Sequence, residues 1–254
     1  MDFGLSRNKT LCAFLGVLLF LPIARPACAK GLSDNSLGRT GARPLIGARK
    51  IFRTQVERLI RLGYPQAMQI TPDQFRAILL PLSAQLSDRP QNSKRNNIPF
   101  LIVIPPRILS VGTQFDLLEI GKGKRGSALY RPTWGITDTI STPTEPYLIF
   151  DVDLGNVRAG THPFRSAVEA RELLAERGRR GLTMAEAISL VTHSVQTVRA
   201  GAVYATASSW PFDGTEAIPR IGTAFGYPLL TYVVAEYFQR DSLPASCQEA
   251  NLDK

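Results

Sequence analysis

The run Ile98-Pro-Phe-Leu-Ile-Val-Ile104 carries no polar side chain. An extended chain sends successive side chains to opposite faces, so a run apolar at every position is buried on both. Pro99 and Pro105 bound it, and it reads as a short core strand. A second such run, Tyr147-Leu-Ile-Phe150, leads into Asp151-Val-Asp-Leu-Gly155 and reads as a second buried strand over 147–152. Strands of this kind need other layers to cover them, and the remaining sequence supplies helices.

Two helices precede the first run. Ile51, Val56, Leu59 and Ile60 fall at helical spacing within 46–62, with arginines and lysines on the other face. Gly63-Tyr64-Pro65 is a stop signal. Thr71-Pro72-Asp73-Gln74 opens the next helix with an N-cap, a proline at the first position and a capping box. Phe75, Ile78, Leu79 and Leu82 form its expected inner stripe, and Pro81 should kink or split it. After a polar loop over 87–97, the pattern predicts a short helix over 111–120 and a strand over 127–134 interrupted at Pro132. A helix over 165–177 should turn Ala167, Val168, Leu173 and Leu174 inward. Thr183-Met-Ala-Glu186 is a capping box for a helix through about His193. Strands are expected over 202–207 and 229–234. Helices and strands alternate only in part. That favours an α+β fold, an N-terminal helical pair packed on a mixed sheet with flanking helices, over a doubly wound parallel sheet. Residues 46–250 read as one domain.

The front of the chain is different. Arg7 and Lys9 precede the apolar run Leu11–Ala24, and Ala27-Cys28-Ala29 supplies small residues for a signal peptidase. This predicts a signal peptide over 1–29, cleaved after Ala29. Arg25 ends the run short of the roughly 20 apolar residues a membrane anchor needs. Arg25 also stands where a lipoprotein signal at Cys28 would want an aliphatic residue. The product is therefore expected to be exported, periplasmic or extracellular, and soluble, with no transmembrane segment after processing. Residues 30–45 read as a flexible basic linker. Residues 1–61 hold 11 Lys and Arg against 3 Asp and Glu, while 62–254 hold 19 against 18. The basic surplus thus sits at the front, where weak contact with an anionic surface is open to it. The segment lacks interleaved aromatics and the protein is read as exported, so nucleic acid is not an expected partner. Processing would leave Cys247 as the only cysteine, which excludes an intramolecular disulfide. Its place near a polar C-terminus reads as an idle tail thiol.

Candidate chemistry is sparse. Asp151 and Asp153 end a strand and, two apart, would share one side of it. An apolar strand running into Asp-x-Asp resembles the haloacid-dehalogenase phosphatases, whose carboxylates hold magnesium. Here Leu154-Gly155 follows, and no later Asp-Asp or Gly-Asp-x-x-x-Asp supplies the other ligands. A strand end, with one Asp capping a turn at Gly155-Asn156, is the plainer reading. His162 and His193 are the only histidines. With Asp151, Asp153 and Glu186 they are the candidates for a metal or acid–base site: Asp151, Asp153 and His193 as catalytic groups, Asp151, Asp153 and His162 as metal ligands. Gly121-Lys-Gly-Lys-Arg-Gly126 matches Gly-x-Gly-x-x-Gly, but Arg131-Pro132 forbids the helix a dinucleotide site needs, leaving a solvated turn. Ser208-Ser209-Trp210 lacks the flanking glycines of a nucleophile elbow. No cofactor is expected.

Tyr147–Gly155, Leu182-Thr183 and Glu186-Ala-Ile-Ser-Leu-Val-Thr-His193 together resemble an uncharacterised bacterial family, the domain of unknown function numbered 5701. Gln55–Pro65 and Phe75–Leu82 fit the family's helical front. The likeness runs in patches over about 50–210, and the chain departs from the family after about Trp210, where a segment bearing Cys, Trp and His is expected. The resemblance implies one compact α+β unit and no activity or cofactor. The reading that follows is a binding or interaction module without catalysis. The alternative is a metal-assisted hydrolase using Asp151 and Asp153 with a histidine.

Overall fold

The computed structural model describes residues 43–86, 97–121, 123–128, 135–153, 166–200, 202–212, 215–234 and 244–248. The expected signal segment and cleavage site, most of the expected linker and His162 lie outside these residues, as do Leu154–Asn156. Gly41–Lys254 form one compact unit. Among the described residues no helix is long and apolar enough to cross a membrane.

Helix α1 (Arg43–Leu62) begins three residues earlier than its apolar spacing predicts. Ala48, Phe52, Val56, Leu59 and Leu62 are buried along one face. It ends at Gly63, whose φ of 98° suits a residue without a Cβ. Tyr64–Ala67 adds one further turn, α2. Helix α3 (Pro72–Leu79) carries the predicted capping box, with the Thr71 hydroxyl accepting from Gln74 N and Thr71 N donating to the Gln74 side chain. The α-helix stops at Leu79 and a 3-10 segment runs from Leu80 to Leu86, as a proline at position 81 requires. Ile78, expected inside, is 41% exposed.

Strands β1 (Ile98–Val103) and β4 (Tyr147–Val152) pair antiparallel, with Phe100 opposite Phe150 and Ile102 opposite Leu148. Phe100, Ile102, Ile104 and Leu148 join the core of α1 and α3. Leu101, Val103, Tyr147 and Ile149 join a second core around α6 (Met184–His193). Double-sided burial explains the unbroken apolar runs. Among the described residues the outer edge of β1 has no neighbouring strand, and side chains take that role. Gln55 on α1 donates to Phe100 O at 2.9 Å and accepts from Ile102 N at 2.9 Å. The Ser189 hydroxyl on α6 donates to Ile102 O at 2.7 Å. Gln114 on α4 (Val111–Leu117) donates to Ile104 O at 2.9 Å. Each backbone group so bonded would otherwise be buried without a partner.

The second layer is a six-stranded sheet. Its order is β2 (Ser127–Ala128), β9 (Tyr227–Val234), β8 (Thr215–Ala224), β7 (Ser208–Phe212) and β3 (Thr137–Asp138), with β6 (Val203–Tyr204) also on β8. The β2–β9 pair is parallel and the others antiparallel, so the sheet is mixed and the fold is α+β. Helix α5 (Ala167–Glu176) is capped by Ser166. It buries Ala167, Ala170 and Leu174, but Val168, expected inward, is 50% exposed. Helix α7 (Gln196–Ala200) follows α6. The predicted strand over 202–207 shortens to β6, and the long β8 was not expected at all. Finally β5 (Arg179–Gly181) pairs with β10 (Ser246–Gln248), placing Cys247 opposite Arg180. Cys247 is fully buried, which corrects its reading as an idle tail thiol. Strand pairing, invisible in a polar C-terminal sequence, draws it into the core.

Candidate functional site

Polar chemistry gathers at both ends of the buried helix α6 and at the end of β4. At the α6 N-terminus the capping box does more than start a helix. Thr183 accepts from Glu186 N, and the Glu186 carboxylate reaches back to Thr183 N at 2.8 Å. Glu186 is fully buried, where an unpaired carboxylate would cost several kcal/mol. Arg180 meets it with two bonds of 2.7 Å, and the Tyr147 hydroxyl donates to it at 3.0 Å. Burial works against the Arg180 charge, but the Glu186 carboxylate outweighs it and holds the guanidinium more firmly protonated than usual. Burial and then the Glu186 charge push the Tyr147 phenol far up.

The same end holds Asp138, Ser208 and Cys247. The Ser208 hydroxyl donates to Asp138 at 2.7 Å and accepts from Met184 N at 2.8 Å. Burial raises the Asp138 carboxyl, the bond from Ser208 lowers it, and the Glu186 charge raises it again, for a net rise. The Cys247 thiol is pushed up to about 12 by burial first and the Glu186 charge second. At neutral pH it is a thiol, not a nucleophilic thiolate. The arrangement is a closed knot that anchors a helix to three strands.

The Asp-x-Asp pair sits elsewhere. Asp151 has φ of 48°, so the chain is not extended there and the expected sharing of one side by Asp151 and Asp153 fails. Arg179 donates to Asp151 Oδ2 at 2.6 Å and to Asp151 O at 2.5 Å, and Asn97 donates to Asp151 Oδ1 at 2.6 Å. The same guanidinium reaches Ser246 Oγ at 2.9 Å and Ser246 O at 3.0 Å. Asp153 is buried and exchanges backbone bonds with Ser246. These groups clasp the C-terminal strand to β4. Among the described residues no three His, Cys, Asp or Glu side chains gather as metal ligands. Glu119 and Arg125 pair as an antiparallel bridge, and Gly123 N donates to the Glu119 carboxylate.

At the C-terminus of α6 the picture reverses. The half-buried His193 keeps its Nε2 shut from solvent and, among the described residues, without a hydrogen-bond partner. Arg58 Nε is in the same condition. Burial raises the Tyr64 phenol, and its hydrogen bond with Thr192 pulls the other way. Burial first, and the Arg58 charge second, lower His193 to about 3, so the ring is neutral at physiological pH. Arg58 itself is lowered by burial and by Arg61, with Glu119 pulling the other way. Arg58, from α1, and His193, from α6, therefore feel one another, and each buries a ring or guanidinium nitrogen that nothing among the described residues satisfies. Sequence reading singled out His193 and missed Arg58, which looks like one more cation on a basic helix face.

These features define an α+β domain organised around one buried helix, with a saturated polar knot at its start and an unsatisfied polar cluster at its end. The chain belongs to a family of unknown function, DUF5701, whose family model matches residues 58–217. Both α6 clusters lie inside that span except Cys247, while the β8–β9 turn and β10 lie beyond it. No curated protein and no solved structure matches the chain.

Proposed function

We propose that this is an exported binding module that acts by recognition, not catalysis, and takes a compact anion such as a carboxylate or phosphate between Arg58 and His193. The observation that carries the reading is that Arg58 Nε and His193 Nε2 are buried without partners among the described residues while the Arg58 charge acts on the His193 ring. An anion offers each an acceptor, and a hydrogen bond to a charged group contributes about 1.5–3 kcal/mol. The α6 C-terminus opposes an anion by about 0.3–1 kcal/mol, a smaller effect. The export half of the proposal is supported by the apolar run Leu11–Ala24 and by Ala27-Cys28-Ala29. A metal-assisted hydrolase on Asp151 and Asp153 has less support, because a metal would have to displace Arg179 and Asn97 from Asp151.

The chain has two histidines, so their ring signals are separable by NMR. Titration with inorganic phosphate or acetate should move the His193 signal saturably and leave His162 in place. Arg58→Gln should abolish the response with the fold intact by circular dichroism. No saturable shift would mean the cluster holds only water, and an unchanged response in Arg58→Gln would refute the assignment. For export, the secreted protein should begin at Lys30; an intact Met1 in that fraction would sink that half.

A further inference from the structure

Strands β8 and β9 form a hairpin paired out to Ala224 and Tyr227, closed by Phe225-Gly226. Both turn residues have positive φ, 53° and 78°. This is the dihedral signature of a two-residue type I′ turn, which favours Asn or Asp before Gly. Phenylalanine there is strained, because its Cβ crowds the backbone in the left-handed region. It is also 98% exposed, and Tyr227 beside it is 47% exposed. The strain and the exposure have no return within the molecule. The other exposed large apolar residues, Ile78, Leu80 and Val168, lie on helical segments away from this turn.

The chemistry around Phe225 is cationic. Lys124 Nζ lies over the Tyr227 ring, 5.5 Å from its centroid. It also lies 2.7 Å from where a Cβ at Gly226 would stand, so it rests against the turn itself. Arg125 is exposed next to it. The Glu119 carboxylate is occupied by Gly123 N. Among the described residues the tip therefore presents two aromatic rings and two cations.

We propose that this hairpin tip docks on an anionic lipid bilayer surface. Shape and area decide against a protein partner. A Phe and a Tyr each bury about 150–250 Å² when covered, well short of the about 800 Å² per partner a stable protein interface needs. A bilayer interface accepts a small convex wedge, with rings at the acyl boundary and cations among the headgroups.

The test is co-sedimentation of the full chain with vesicles of phosphatidylcholine alone and of phosphatidylcholine with phosphatidylglycerol. Binding is expected on the mixed vesicles and should fall as salt rises. Phe225→Asn gives the turn a preferred residue, so thermal stability should hold or rise. Partitioning should nonetheless weaken about tenfold, the loss expected when about half of a Phe side chain's burial is forgone. Lys124→Glu with Arg125→Glu should remove the preference for anionic vesicles. No binding to mixed vesicles would overturn the proposal. So would Phe225→Asn binding as the parent does, since the apolar N-terminal run would then account for sedimentation. A change of oligomeric state in Phe225→Asn with vesicle binding unchanged would assign the tip to a second copy instead.

Discussion

Replacing Gln55 by Leu tests the claim that a helix side chain stands in for a missing strand. Gln55 is 5% exposed and bonds both Phe100 O and Ile102 N on the open edge of β1. Phe100 and Ile102 are each 1% exposed, so water cannot replace the amide. Leucine fills a similar volume but leaves one buried acceptor and one buried donor unpaired. At about 1–3 kcal/mol for each stranded group, the loss is about 2–6 kcal/mol. The added apolar contact returns about 1 kcal/mol, so about 1–5 kcal/mol of net destabilisation is expected. That is a large share of the roughly 5–15 kcal/mol that holds a typical domain together. The assay is urea unfolding followed by circular dichroism, with an unchanged m-value taken to mean that the native state itself has weakened. Thr54→Ala, one residue away on the exposed side of α1, is the control and should stay within about 0.5 kcal/mol. If Gln55→Leu also stays within about 0.5 kcal/mol, the edge of β1 is satisfied some other way and the reasoning fails.

Three further outcomes are expected. Glu186→Gln strands the Arg180 charge in the core and should cost about 3–5 kcal/mol in urea unfolding, part of it recovered by adding Arg180→Met. Gly181→Ala would place a Cβ 1.9 Å from Thr206 Oγ1, so its melting temperature should fall steeply, with Thr206→Ala restoring part of the loss. His193, lowered in the fold to about 3 from its ordinary 6.5, stays neutral where the unfolded chain takes a proton. Its stabilising contribution is therefore full above pH 6.5 and lost as pH falls from there through about 3, with a limiting slope of about 1.4 kcal/mol per pH unit. His193→Gln should flatten that part of the stability profile, and a profile identical to the parent's would refute it.

Features set by neighbours in the chain were legible. The capping boxes at Thr71 and Thr183, the stop at Gly63 and the break at Pro81 all depend on residues within four positions. The two apolar runs announced double-sided burial. What escaped depends on distant pairing. Strand β8 contains Pro219 and Gly222, which read as breakers. In the fold Pro219 takes its place in the ladder opposite Tyr232, and its carbonyl accepts from Ala205 N. Arg179 finds Ser246 67 residues away, and no local pattern marks either as a partner. The spacing rule for Asp151 and Asp153 presumed extended backbone and failed at a single dihedral, the positive φ of Asp151.

The two ends of α6 make the argument for a binding site stronger than either would alone. Both sit in the same buried helix, so both face the same demand that polar atoms find partners. At the start, four donors converge on Glu186. At the end, Arg58 Nε and His193 Nε2 are buried with no partner among the described residues. A fold able to saturate one end has the means to close the other with a carboxylate on α1 or α6. Instead that end carries an arginine and a neutral imidazole, and the Glu119 carboxylate that acts on Arg58 is engaged by Gly123 N. An acceptor from outside the described residues would complete the set, and a small anion supplies one.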